Sequence, residues 1–361
     1  MSEVNVDRLI NTFCELVKVP SESPDDQKFI AHAESLFKMM GGKTKKDAYG
    51  NLVAKFAAKN SKSTTPVAFA CHADTVKPGI GIEPIVEDGK VKSKGKTILA
   101  GDDKMGIAEI MEMIRSAEKH PPLEVILTRC EEIGSLGASN MDYSMIEAKT
   151  AYVIDMDSCD DVVVGGPSYI TFDVVYKGKP AHAGMAPEKG ISSILAASKA
   201  VSRLKLGKLD EETTANVGVF QGGEIRNGIP ETTKLLAECR CLKHEKALAL
   251  ADEMEKIFRE ASKEVGTEIT IERKIALRAY LLDEKSQVVQ LVVKALEKHD
   301  VKPNVKVVRG GTDATFFNAH GIATAVLGVG IRDAHSCQEH AIIKEVVTIT
   351  NVIKDIVETL A

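Results

Sequence analysis

The apolar residues of this chain change their spacing twice, and that change limits the folds it can take. Residues 67–71, 123–130 and 151–154 are short apolar runs with little alternation, set among segments such as the one carrying Ile107, Ile110, Met111 and Ile114 at helical spacing. Runs of that kind suit strands covered on both faces, the interior of a mostly parallel sheet. Residues 169–176, 215–220, 234–242 and 268–273 instead alternate apolar and polar, with helical stretches near 190–206 and 244–264. Such strands have one wet face and belong to an antiparallel sheet with helices on the other. After residue 277 the first style returns, with a helix over 283–299, strands at 305–308 and 323–327, and a last helix ending near Leu360. The expectation is an α/β fold. A mostly parallel-sheet domain of residues 1–167 and 277–361 is interrupted by an inserted α+β domain of residues 168–276. Locally, Ser23 and the acids after it cap a helix running to Met40, and Asp88-Gly89 turns a hairpin.

Composition narrows the function. At 361 residues and 44% hydrophobic, the chain can bury a sizeable core. Its net charge of −5, 4% aromatic content and lack of Trp argue against nucleic acid as a partner. No apolar run approaches the roughly 20 residues of a membrane span, and the N-terminus is acidic and amphipathic, unlike a signal peptide. Seven cysteines without C-x-x-C spacing read as reduced, mostly buried thiols of a cytoplasmic protein.

The candidate chemistry lies where apolar runs end. His72 and Asp74 follow one run, and in extended chain residues two apart face the same side. Glu131 and Glu132 follow a second, Asp155 ends a third, and His335 lies beyond a fourth. Asp102 and Asp103 open a helix, where capping is their commonest role. Two adjacent acids such as Glu131 and Glu132 are also at home in a solvated turn, and a lone His335 is usually a loop residue. Ligands bind at the carboxyl ends of strands in open α/β sheets, however, which would bring all these groups into one crevice.

The strings CHADT (71–75), GDDKMG (101–106), EEIGSLGA (131–138), AYVID (151–155), AHAG (181–184), GGEIRNGIP (222–230), RGGTDA (309–314) and HSCQE (335–339) occur in that order. Together they resemble the co-catalytic dizinc exopeptidases typified by peptidase T and carboxypeptidase G, over nearly the whole chain. The resemblance implies one Zn²⁺ on His72 and Asp155, another on Glu132 and His335, and Asp102 between them, with Co²⁺ or Mn²⁺ as substitutes. It implies Asp74 as the carboxylate orienting His72 and Glu131 as general base. It makes the inserted domain a lid and dimerisation domain, whose His182 reaches the partner's site in a homodimer. Asn227, Arg240 and Arg309 would bind substrate, the two arginines gripping a peptide carboxylate. RGGTD and HSxxE favour the peptidase T branch and hence release of N-terminal residues from short peptides. After Asp155, Met-Asp-Ser-Cys-Asp-Asp replaces the glycine-rich stretch of that branch, which keeps open an N-acyl amino acid deacylase, a glutamate-type carboxypeptidase or a non-catalytic peptide binder.

Overall fold

The computed structural model describes residues 3–361. The chain forms two compact units, one of residues up to Gly165 together with Leu281–Ala361, the other Gly166–Tyr280.

In the first unit a large sheet runs in the order Lys43–Lys46, Leu52–Phe56, Leu123–Thr128, Val67–His72, Thr150–Met156, Ala323–Gly328 and Asp161–Gly166. Its four middle strands, Leu123–Thr128 to Ala323–Gly328, are mutually parallel. The flanking pairs are antiparallel, apart from Asn304–Val307, which lies parallel to Asp161–Gly166. Val67–His72 and Leu123–Thr128 are buried at every position, as their unbroken apolar runs predict. Helix Gly101–Ser116 packs on Val67–His72 and Thr150–Met156, and between helices Val6–Val17 and Ile343–Leu360. It is enclosed almost all round, and even its charged Lys104, Glu109 and Glu112 are buried. Gly106 allows the close approach: a Cβ there would lie 2.7 Å from the Ile154 carbonyl oxygen and 2.8 Å from Cys71 Sγ. Phe69, Tyr152, Ile107 and Met111 are sealed between helix and sheet, each contributing about 1.5–3 kcal/mol by burial.

A second, small antiparallel sheet orders Ile331–Arg332, His340–Ile342, Lys90–Ser93 and Pro84–Glu87. It anchors both ends of the loop that carries His335.

The second unit is one antiparallel sheet with Ser168–Lys177 between Thr232–Cys241 and Glu268–Leu277, and Thr213–Gly222 beyond Thr232–Cys241. Along Ser168–Lys177 the side chains alternate, and Ile170, Phe172, Val174 and Tyr176 are fully buried. Helices Ser193–Arg203 and His244–Val265 cover that face.

Several expectations need correction. The helix expected from Ser23 begins at Gln27, with Asp26 at its N-cap, and ends at Met39. The helix expected over 283–299 spans Gln287–Lys298. Strand Asp161–Gly166, in the main sheet, was not foreseen. Cys71, Cys130, Cys239 and Cys241 are buried as expected, but Cys337 is exposed and Cys14 and Cys159 are half-buried, because each lies on a surface turn or helix flank rather than in a strand interior.

Candidate metal centre

Parallel neighbours deliver the site. His72 is the last residue of Val67–His72, Glu131 and Glu132 follow Leu123–Thr128, Asp155 is the next-to-last residue of strand Thr150–Met156, and His335 lies beyond Ala323–Gly328. Because these four strands are adjacent and parallel, their carboxyl ends open on one crevice. A cavity of about 300 Å³ there is lined by His72, Asp102, Glu131, Glu132, Asp155 and His335, with Gly310, Gly311 and Thr312 on its rim.

Asp102 is central. One of its carboxylate oxygens lies 2.9 Å from His72 Nε2 and the other 3.1 Å from His335 Nε2. His335 Nε2 is also 3.0 Å from Glu132, and His72 Nε2 is 3.7 Å from Asp155. Asp102 and Asp103 are not the regular first helical turn that capping would require: both have non-helical backbone angles, and the peptide bond between them is cis.

The donor chemistry fits a divalent cation. Ligand atoms of His72, Asp102 and Glu132 lie within 4.8 Å of one another, as do those of His72, Asp103 and Asp155. Between the two aspartates, Asp102 is the better candidate. Asp103 uses one oxygen to accept the His72 backbone N–H at 3.1 Å and is fully buried off the cavity wall. Glu132 Oε1 is buried with no hydrogen-bond partner, a cost of about 1–3 kcal/mol for a group that nothing satisfies.

Buried carboxylates hold the site's backbone. Asp74, fully buried, accepts the backbone N–H of Glu131 at 2.8 Å and of Glu132 at 3.2 Å, and the hydroxyl of Ser23. His72 Nδ1 lies 2.9 Å from the Asp74 carbonyl oxygen and 3.5 Å from its carboxylate, so main chain as well as side chain orients the ring. Asp26 pairs with Arg129 and accepts the N–H of Cys130, which turns the chain out of its strand at φ 56°. Asp313 accepts from Thr128 at the end of the neighbouring strand. Glu339 accepts the N–H groups of Leu99, Ala100 and Asp102. Sequence reading had given Asp26 only a helix-capping role and Asp313 and Glu339 none. The last two lie inside RGGTDA and HSCQE, the only signal that could have found them.

Charge and burial oppose one another throughout. Hydrogen bonds to Asp102 and Glu132 push His335 up to about 10. Burial works against a charged His72, but Asp102, Asp155 and Asp74 outweigh it and raise it well above its ordinary value. Burial would likewise raise Asp102, yet His335 and His72 hold it well below the usual carboxylate range. Burial lifts Asp155 to about 7 and Asp313 to about 6. Glu131, whose Oε1 accepts from Ser135 Oγ at 2.9 Å, is raised well above its ordinary value, chiefly by burial.

The four substrate-binding candidates fall in both units. In the second, His182 and Asn227 line one cavity of about 750 Å³, and the backbone N–H of Ala183 donates to the Asn227 carbonyl at 2.9 Å. Arg240 there lies over the Tyr169 ring at 4.2 Å and 3.1 Å from Glu238. In the first unit Arg309 is exposed, and Gly310 and Gly311 after it line the metal crevice.

With this geometry in hand, likeness to known proteins is informative. Residues 165–266 match the family model of a peptidase dimerisation domain, and residues 51–183 that of Peptidase family M28. The Bacillus subtilis protein YqjE is 36% identical, with 99% of this chain and 100% of that protein covered. The crystal structure of aminopeptidase PepT from Bacillus cereus is 34% identical, covers 98% of both chains and superposes with a TM-score of 0.92. This chain belongs to the peptidase T-like exopeptidases. A tripeptidase structure from Staphylococcus aureus, 30% identical over 99% of both chains with a TM-score of 0.93, has the same fold. As a peptidase T-like exopeptidase the chain is a hydrolase of peptide bonds. Among its described residues no helix is long and apolar enough to cross a membrane.

Proposed function

We propose that this peptidase T-like exopeptidase is a dizinc enzyme of the cytoplasm that releases N-terminal residues from short peptides. The observation that carries the reading is Asp102, one of whose carboxylate oxygens reaches His72 and the other His335. His72 and Asp155 would hold one ion, Glu132 and His335 the other, with Asp102 shared. When bound, a pair of divalent ions polarises a scissile carbonyl and lowers the pKa of a water.

The chain's own residues do the rest. Glu131 borders the crevice and keeps Oε2 clear of the Ser135 hydroxyl, which Oε1 engages. It takes the proton of the attacking water and passes it to the leaving amine. Asp74 fixes that base through the Glu131 N–H and the ligand Glu132 through its own. Asp74 also orients His72, an outer partner of the kind that sets ring orientation in metal sites. The family names support the substrate class: the two relatives above are an aminopeptidase and a tripeptidase by title. Arg240 and Arg309 supply guanidinium groups for a peptide carboxylate. The dimerisation-domain match over 165–266 supports a homodimer, and His182 with Asn227 contributes to substrate binding from that domain.

The test combines metal and substrate. Chelator-treated protein is expected to be inactive and to recover with Zn²⁺, Co²⁺ or Mn²⁺, and a panel of tripeptides, dipeptides and N-acetyl amino acids to show preference for tripeptides with a free amino end. Glu131→Gln should bind metal and lose about 10²–10⁴ in kcat. Turnover confined to N-acetyl amino acids, or full activity in Glu131→Gln, would overturn the reading.

A further inference from the structure

The carboxylate of Glu339 takes no part in the chemistry assigned above, yet its hydrogen bonds all go to the turn that presents Asp102. It is only 2% exposed. Oε2 accepts from Leu99 at 2.8 Å and Ala100 at 2.9 Å, and Oε1 from Asp102 at 3.0 Å. The Ala100 and Asp102 amides lie at the N-cap and first turn of helix Gly101–Ser116, where the first N–H groups have no partner within the helix and must find one elsewhere, and the Leu99 amide lies just before them. A regular turn would leave them to a local cap. Here Ala100 is left-handed at φ 61° and Asp102 is extended, so no neighbour in sequence can reach all three.

Glu339 reaches them from the far end of the loop that carries His335. It lies four residues beyond His335, its own N–H is held by the Ser336 carbonyl at 3.1 Å, and strand His340–Ile342 follows in the small sheet. Its carboxylate thus joins the backbone of Asp102 to the loop of His335, the two residues whose side chains meet at 3.1 Å. The fit is tight. A Cβ on Gly101 would stand 3.0 Å from Glu339 Oε1 and 2.9 Å from Ile331 Cγ2.

We infer that Glu339 is a positioning residue that fixes the Asp102 turn against the His335 loop, so that a single carboxylate faces both histidines. This rests on the metal-centre reading above. Its chemistry makes Glu339→Gln a selective probe. The glutamine keeps the shape, and its one oxygen can accept from Leu99 and Ala100, but its amide then sets N–H against the N–H of Asp102. The contact that places Asp102 is lost while the others survive.

The experiment is a competition titration of metal-free protein with Zn²⁺ against a chromogenic chelator at pH 8, paired with a melting curve of the metal-free form. Glu339→Gln is expected to bind Zn²⁺ about 10- to 100-fold more weakly than wild type, the usual effect of removing an outer partner, with the metal-free melting temperature little changed. Zinc affinity within about threefold of wild type, whatever the melting temperature, would overturn the inference. Should Glu339→Gln fail to fold, Gly101→Ala displaces the same carboxylate without removing it. The same loss of affinity supports the inference, and wild-type affinity overturns it. Wild-type protein that binds no Zn²⁺ would instead bring down the metal-centre reading itself, and the inference with it.

Discussion

Loading metal into the site should expel protons. A histidine ligates only when neutral, so any proton on the coordinating nitrogen must leave when the metal arrives. In the metal-free arrangement His335 is pushed up to about 10 and His72 well above its ordinary value, so both carry a proton at pH 7. Asp155, lifted to about 7 by burial, is about half protonated there. Filling both positions at pH 7 should therefore release at least about two protons, one from each histidine, and the overall two-ion affinity should climb roughly a hundredfold per pH unit. The count should drop near pH 10 as His335 loses its proton beforehand. Calorimetric titration of Zn²⁺ into metal-free protein, in buffers of different ionisation enthalpy, reads the number directly. Release of fewer than about one proton at pH 7 would refute the assignment of the two histidines. The same shifts set metal-free stability. Histidines raised above their unfolded value, near 6.5, contribute stability that is complete below that pH and lost as pH rises toward about 10. Asp102, held low, contributes above about pH 4 and loses its share as pH falls further. Metal-free protein should thus melt at lower temperature at pH 10 than at pH 7.

Two other perturbations reach different parts of the molecule. Asp26→Ala leaves the Arg129 guanidinium buried without its partner and the Cys130 N–H without an acceptor, so urea unfolding should show a loss of about 3–5 kcal/mol, and a loss under about 1 kcal/mol would contradict the account of that turn. If His182 acts across a homodimer, inactive His182→Ala and inactive Glu131→Gln proteins, mixed and allowed to exchange subunits, should recover about a quarter of wild-type activity, since half the dimers are mixed and each has one intact site. No recovery after verified exchange would confine His182 to its own subunit.

Much of this molecule is legible in its sequence because the relevant signals are local. Unbroken apolar runs mark the parallel core strands, and alternation marks Ser168–Lys177 and its neighbours. His72, Glu131, Glu132 and Asp155 announce themselves by following such runs. What stays hidden is what depends on partners far along the chain. Strand Asp161–Gly166 ends in two glycines and gains its place by pairing with Ala323–Gly328 and Asn304–Val307. Asp26, Asp313 and Glu339 act by accepting from groups 103 to 240 residues away, an arrangement with no periodicity to detect. The helix expected to start at Ser23 starts later because Ser23 spends its hydroxyl on Asp74.

The order of the donors along the chain has a consequence for biosynthesis. His72, Asp102, Glu132 and Asp155 leave the ribosome first, the whole Gly166–Tyr280 unit follows, and His335 comes roughly 180 residues after Asp155. At about 5–20 residues per second that interval is on the order of 10 to 40 s. For that time the nascent chain holds three carboxylates and one imidazole without the histidine and the Glu339 staple that complete the set. The donor set proposed above is therefore complete only once His335 has been made, long after its first four members.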